Sequence, residues 1–278
     1  MACGASVPPR GRVMSKRMPT AFVPHAGGPL GHVEFGVPAA DVDGFVSYWR
    51  SLRALTPAPP SALVVISAHW EAAVPTVMTS PNPPMLYDYG GFPPESYRIT
   101  WPAPGDPALA ARVRALLGAA GIDSGEDPHR GYDHGTFVPL KVTYPGAEVP
   151  VVQLSLAAGL DPATHLQIGR ALAPLRDEGV FIVGSGDSFH NLRAFGPASY
   201  DRSTAFNAWL TEAVTQPQQQ REARLVQWSS APFAQQCHPR AEHLIPLMVV
   251  AGAAGEDAGV RTWGGGLFGT EQVGFHFG

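Results

Sequence analysis

The segment Ser61-Ala62-Leu63-Val64-Val65-Ile66-Ser67 is apolar without a break and follows two prolines. A strand with one wet face alternates apolar and polar residues. An uninterrupted apolar run is what a strand covered on both faces requires, and such strands belong to parallel sheets sheathed by helices. That demand sets the reading of the remaining chain. Residues 21–23, 75–80, 149–156 and 179–183 read as further strands. Residues 41–55 read as a helix, with Phe45, Tyr48, Trp49 and Leu52 on one face. Residues 107–120 follow with a proline at the first turn, and residues 162–175 with Asp161 as N-cap. Residues 202–215 and 241–251 complete the helices, and the glycine-rich residues 263–278 suggest a closing β-hairpin. Strands and helices alternate, so the predicted class is α/β: a single-domain sandwich with a central twisted mixed sheet flanked by helices.

No internal repeat or linker divides residues 18–278, which read as one domain. The first 17 residues are rich in Pro, Gly and Arg and lack the apolar core of a signal peptide. They read as a disordered extension, with Met14 and Met18 as alternative starts and the cytoplasm as the expected compartment. A net charge of −4 carries no basic excess, which argues against nucleic acid as a partner. No run reaches the roughly 20 apolar residues of a membrane-spanning helix. With Cys3 and Cys237 as the only cysteines, neither a disulfide framework nor a thiolate zinc site is expected.

The histidines carry the chemistry. Most histidines simply bond locally, and His32, His129, His165, His238 and His276 are read that way. His25 opens Ala26-Gly27-Gly28-Pro29, where glycines admit close approach of a ligand to the backbone; an ordinary tight turn is the competing reading. His69 directly follows the buried strand, a position where function gathers. His190 follows a loop, Gly184-Ser185-Gly186-Asp187-Ser188, that matches neither a phosphate loop nor a nucleophile elbow. Ser185 or Ser188 as a nucleophile beside a histidine base is therefore a minor reading. His134, between Asp133 and Gly135, is placed for a nearby carboxylate to fix its tautomer. Glu242 and His243 are adjacent. On a helix they diverge by about 100°, so one of them faces a given site: the glutamate completing a two-histidine carboxylate triad for Fe(II), or the histidine a three-histidine site for zinc or iron. Residues 81–107, long and dense in Pro, Gly and aromatics, form a loop of the kind that is usually functional.

Taken in order, Pro24-His25-Ala26-Gly27-Gly28-Pro29, Ser67-Ala68-His69-Trp70-Glu71, residues 86–93, Trp101-Pro102-Ala103-Pro104-Gly105, residues 133–140, Gly184-Ser185-Gly186 with His190-Asn191-Leu192, and residues 242–247 resemble the class III extradiol ring-cleaving dioxygenases, in the branch similar to 4,5-DOPA dioxygenase. The resemblance spans nearly all of residues 18–278. It implies His25, His69 and His243 as metal ligands, His190 as acid–base residue or further ligand, and His134 facing the substrate. It further implies Fe(II) for activity, with Zn(II) accepted in an isolated preparation, and a small catecholic substrate with O2 as partners. Homo-oligomerisation is left open. Tyr87 and Phe92 are expected to wall the substrate, and Arg193, Arg98 or Lys141 to meet a substrate carboxylate. Ala26 departs from the glycine more usual there, and Asp187-Ser188-Phe189 from a run of smaller residues. Two rival readings use the same scaffold: a zinc-dependent hydrolase and a non-catalytic binding protein.

Overall fold

A computed structural model describes residues 17–278; residues 1–16, on which most of the expected disordered extension falls, lie outside the described residues. Eight strands form one mixed sheet: β1 (Thr20–Pro24), β2 (Ala62–Ala72), β3 (Thr76–Met78), β4 (Gly125–Asp127), β5 (Val151–Ala157), β6 (Val180–Gly186), β7 (Gly259–Leu267) and β8 (Thr270–Phe277). Their spatial order is β4-β3-β5-β2-β6-β1-β8-β7. The central strands β5, β2, β6 and β1 run parallel, and β8 returns antiparallel beside β1. The Ser61-led run is therefore a central strand, as its unbroken apolarity demands, with Leu63, Val64, Val65 and Ile66 wholly buried.

Helices α1 (Ala39–Ser51), α2 (Pro107–Ala119), α3 (His134–Thr143), α4 (Pro162–Leu172), α5 (Tyr200–Val214), α6 (Gln218–Val226), α7 (Ala234–Cys237) and α8 (Ile245–Ala254) cover both faces. One apolar core, including Phe45, Trp49, Phe137 and Val138, joins α1 and α3 to the sheet. The other joins α2, α4, α5, α6 and α8 to its opposite face. Asp161 caps α4 by accepting from Thr164 N at 2.8 Å, as its position predicts. Among the described residues no helix is long and apolar enough to cross a membrane.

Three expectations need correction, and one helix lies where no element was expected. Gly184-Ser185-Gly186 is not a loop but the last three residues of β6. β2 does not stop at Ser67: it runs to Ala72 through an irregular stretch in which it advances from Ile66 to Glu71 while β5 advances only from Leu154 to Leu156. His69 lies inside that irregular stretch. α8 begins at Ile245, so Glu242 and His243 sit in the turn before it and their separation is not a helix's 100°. Residues 134–143 are helical although Pro139 lies among them. Asp133 explains the start, accepting from Thr136 N at 3.1 Å.

Candidate metal centre

Strand order builds the site. β2, β6 and β1 are neighbours, with Ser67 beside Ser185 and Pro24 beside Gly186. Their carboxyl ends thus bring His69, Asp187 and His25 together at one edge of the sheet, where ligands of parallel sheets gather. His243 reaches the same point because its turn lies against the end of β6. A Cβ on Gly186 would stand 2.1 Å from the His243 carbonyl oxygen, and the Asp187 N–H donates to that oxygen at 3.0 Å. Only a residue without a side chain admits this approach.

The imidazole tautomers follow from their partners. The Ser185 hydroxyl gives its one hydrogen to the Gly135 carbonyl, so at 2.9 Å it must accept from His25 Nδ1–H. His243 Nδ1 lies 3.1 Å from Glu242 Oε1, and His69 Nδ1 lies 3.4 Å from Asp88 Oδ2. Each Nδ1 faces an acceptor, which leaves each Nε2 with a bare lone pair. Burial first, and then the neighbouring imidazoles, hold His25 and His243 well below the usual histidine range and His69 down to about 4. All three are neutral at pH 7.

Those lone pairs converge. His25 Nε2 and His69 Nε2 are 3.0 Å apart, and His69 Nε2 and His243 Nε2 are 3.3 Å apart. Two nitrogens each about 2.1 Å from one cation are separated by about 3.0 Å at a right angle and about 3.4 Å at the tetrahedral angle. Bare lone pairs at this spacing repel without a cation, and His25 and His69 also group with His134, with ligand atoms within 4.8 Å of one another. The donor set fits a divalent transition metal. Asp187, buried, places Oδ2 3.5 Å from His25 Nε2 and could add an oxygen donor, although burial pushes its carboxyl well above the usual range.

Around the centre, His134 Nδ1 and its backbone N–H both donate to Asp88 Oδ1, at 2.8 and 2.9 Å. Burial alone would raise the Asp88 carboxyl; the His134 hydrogen bond and the neighbouring imidazoles pull it down to about 2. The expected carboxylate beside His134 therefore comes from Asp88 in the long loop and not from Asp133. The carboxylate of Asp133 instead accepts from Ser67 Oγ at 2.7 Å, Arg130 Nη2 at 2.6 Å and Gln153 Nε2 at 3.0 Å. It stiffens the sheet beneath His69, whose N–H donates to Ser67 Oγ and whose carbonyl accepts from Arg130. His190 stacks on His243, with ring centroids 3.3 Å apart, and its Nδ1 lies 3.4 Å from Glu242 Oε1. Glu242 thus faces both rings. These groups open onto a cavity of about 460 Å³ that His69, His134, His190 and His243 line.

Residues 20–278 match the family described as the catalytic LigB subunit of aromatic ring-opening dioxygenase. The chain belongs to the LigB family. It is 38% identical to a 4,5-DOPA dioxygenase extradiol of Beta vulgaris, over 89% of this chain and 92% of that one. It is 36% identical to another of that name from Escherichia coli K12, over 86% of each. With a dioxygenase, tasH, of Hapsidospora irregularis it shares 39% identity over 94% of this chain and 85% of the relative. The crystal structure of an uncharacterized protein of Escherichia coli K12 superimposes with a TM-score of 0.76 at 31% identity, covering 94% of this chain and all of that one. The likenesses support a dioxygenase.

Within this LigB-family fold the other predicted residues divide. Phe92 lines the cavity, its ring seated over Gly28, which has a left-handed φ of 56°. Tyr87 is not among the lining residues: its hydroxyl donates to the Ile99 carbonyl and its ring packs on Tyr89 and Phe137, where it props the loop. Arg193 lines a neighbouring groove, Arg98 is exposed, and Lys141 donates to the Thr100 carbonyl. None of the three borders the cavity. Ser185 is committed to His25, and Ser188 to Gln272 of β8, so neither is a free nucleophile. The Gln272 side chain also accepts from the Ser188 and Phe189 N–H groups and donates to the Phe189 carbonyl, clamping the approach to His190. The histidines read as local bonders include His165, held between Asp161 and Ala157, and His238, held to the Ser188 carbonyl. Asp88 escaped notice because it joins the site only when residues 81–107 fold across the sheet.

Proposed function

We propose that the chain is a non-haem, metal-dependent extradiol dioxygenase that opens a catecholic ring beside its diol to a muconate semialdehyde-type product, both atoms of O2 entering the product. The observation that carries this is the convergence of three neutral Nε2 atoms, each oriented by an acceptor on its Nδ1, beside two further histidines. His25, His69 and His243 would hold the metal, with Fe(II) the working ion. Bound there, it would draw the two ring oxygens and O2 together and pass electron density between them.

The remaining residues would do proton work and exclude water. His134, with Nδ1–H given to Asp88, presents Nε2 as acceptor for a substrate hydroxyl, and Asp88 stabilises the imidazolium that results. His190, held by Glu242 and by its stack on His243, is positioned to take the second hydroxyl proton and return it to the opening ring. Phe92 and its aromatic neighbours keep water from the reacting atoms. Three histidines would also accept Zn(II), which outranks Fe(II) in intrinsic affinity, so an isolated preparation carrying zinc fits this reading. The family match does not favour the hydrolase or binding-only readings.

The test is oxygen uptake after anaerobic Fe(II) loading, with a panel of catechols. Stoichiometric uptake with a yellow product, lost in His190→Ala while metal content is kept, is expected. A fully iron-loaded protein that consumes no oxygen with any catechol would sink the proposal.

A further inference from the structure

A carboxylate taken out of water is costly unless a cation pairs with it, and Arg193, Arg98 and Lys141 are the cations the sequence offers. None borders the cavity. Among the described residues, and apart from the histidines, the ionisable side chains that line it are Asp88 and Asp187, both acids. Its large apolar side chains are Phe35, Phe92, Leu192, Phe195, Leu267 and Phe268. Phe35 and Phe92 meet edge to face, with centroids 4.9 Å apart, and Phe195 meets Phe268 at 6.0 Å. Nearby cations are engaged elsewhere. Arg130 is spent on Asp133 and the His69 carbonyl, and Arg240 on Glu71 and Glu242. Arg193 lines a separate groove that shares only His190 and Leu192 with the cavity.

The geometry points to a catechol with an uncharged, apolar ring substituent as the substrate class, and to selection against catechols that carry a carboxylate. This rests on the dioxygenase reading above and narrows it. A cavity of about 460 Å³ falls within the range of small-molecule pockets and leaves room for a substituent beyond the ring. An alkyl or aryl group there replaces water against six apolar side chains. A carboxylate there loses its hydration and finds no lysine or arginine among the described residues that line the cavity. Specificity thus comes from a missing positive charge as much as from the apolar wall.

The test pairs 4-propylcatechol with dihydrocaffeate, which share a ring and differ at the end of a short chain. Initial oxygen-uptake rates of the iron-loaded enzyme are expected to give a kcat/KM at least about tenfold higher for the neutral compound, equivalent to about 1.4 kcal/mol. Leu192→Arg, a change at a residue 75% exposed on the cavity rim, should narrow or reverse the ratio by supplying the missing cation. Calorimetric titration of the metal-free protein with the same two compounds reads the preference without turnover. Equal or better use of dihydrocaffeate would overturn the inference, and loss of that use in Arg193→Ala would show that Arg193 reaches the substituent. If no catechol consumes oxygen, the dioxygenase reading fails, and the calorimetric ratio alone decides the apolar-ligand inference.

Discussion

Replacing Gly186 with alanine tests how the site is assembled. The new Cβ would lie 2.1 Å from the His243 carbonyl oxygen and 3.0 Å from the Phe22 ring. A relaxed carbon–oxygen contact is about 3.3 Å or longer, so the His243 turn must retreat by more than 1 Å or β6 must bend. Overpacking of this kind costs about 1–3 kcal/mol. Displacement also breaks the Asp187 N–H bond to the His243 carbonyl, worth about 1 kcal/mol. The expected loss is about 2–4 kcal/mol of unfolding free energy, read from urea denaturation of the metal-free protein. Metal affinity should fall in addition, because His243 moves while His25 and His69 stay. A ligand displaced by 1 Å leaves the spacing that suits one cation, and a loss of about 100-fold is expected from competition with a chromophoric chelator. Gly184→Ala is the control: its Cβ meets the Pro246 carbonyl at 2.5 Å, farther along the same segment. It should destabilise similarly and spare metal affinity relative to Gly186→Ala. Wild-type stability together with wild-type affinity in Gly186→Ala would refute the reasoning.

Other predictions follow from single contacts. Ser185→Ala removes the acceptor that fixes the His25 tautomer and should weaken metal binding about 10–100-fold, measured by the same chelator competition; unchanged affinity would show that Ser185 does not orient the ring. Ala26 has a left-handed φ of 58°, so Ala26→Gly should raise stability by up to about 1 kcal/mol in thermal melts, and a lower melting temperature would count against strain there. Asp133→Ala leaves Arg130, Gln153 and Ser67 without their shared partner, and a loss of about 3–5 kcal/mol in urea titrations is expected. Burial lowers the His238 pKa to about 4, so the folded protein disfavours its charged form. Unfolded His238 protonates below about 6.5, and stability should therefore fall as pH drops from 6.5 towards 4. His238→Gln should flatten that part of the urea-midpoint profile; a variant with the parent's pH slope would exclude His238 as the cause.

The strands and most helices were legible because their apolar patterns are long: the run at 61–67, the stripe of Phe45, Tyr48, Trp49 and Leu52, and the Asp161 cap each state their structure locally. α3 was illegible because Pro139 contradicts a helix by local rules, and its buried environment overrides them. Gly184-Ser185-Gly186 misled for the opposite reason. Two glycines look like a turn, yet in β6 they are a strand face cleared for the backbone at Pro246 and His243. The five site histidines could be picked out from their strand-end and turn contexts. Their carboxylate partners could not: Asp88 is 46 residues from His134, and only the path of the folded loop makes them neighbours.

Gln272 gives the site a place in time. Its side chain, on the last strand, takes both N–H groups of Ser188 and Phe189 and returns a bond to the Phe189 carbonyl. β8 itself pairs with β1, the strand that leads to His25. A chain emerging from the ribosome has all five histidines in hand by residue 243, yet the clamp beside His190 is still missing. The bonds that fix Ser188 and Phe189 therefore form only after residue 272 has been made, later than every one of the five histidines.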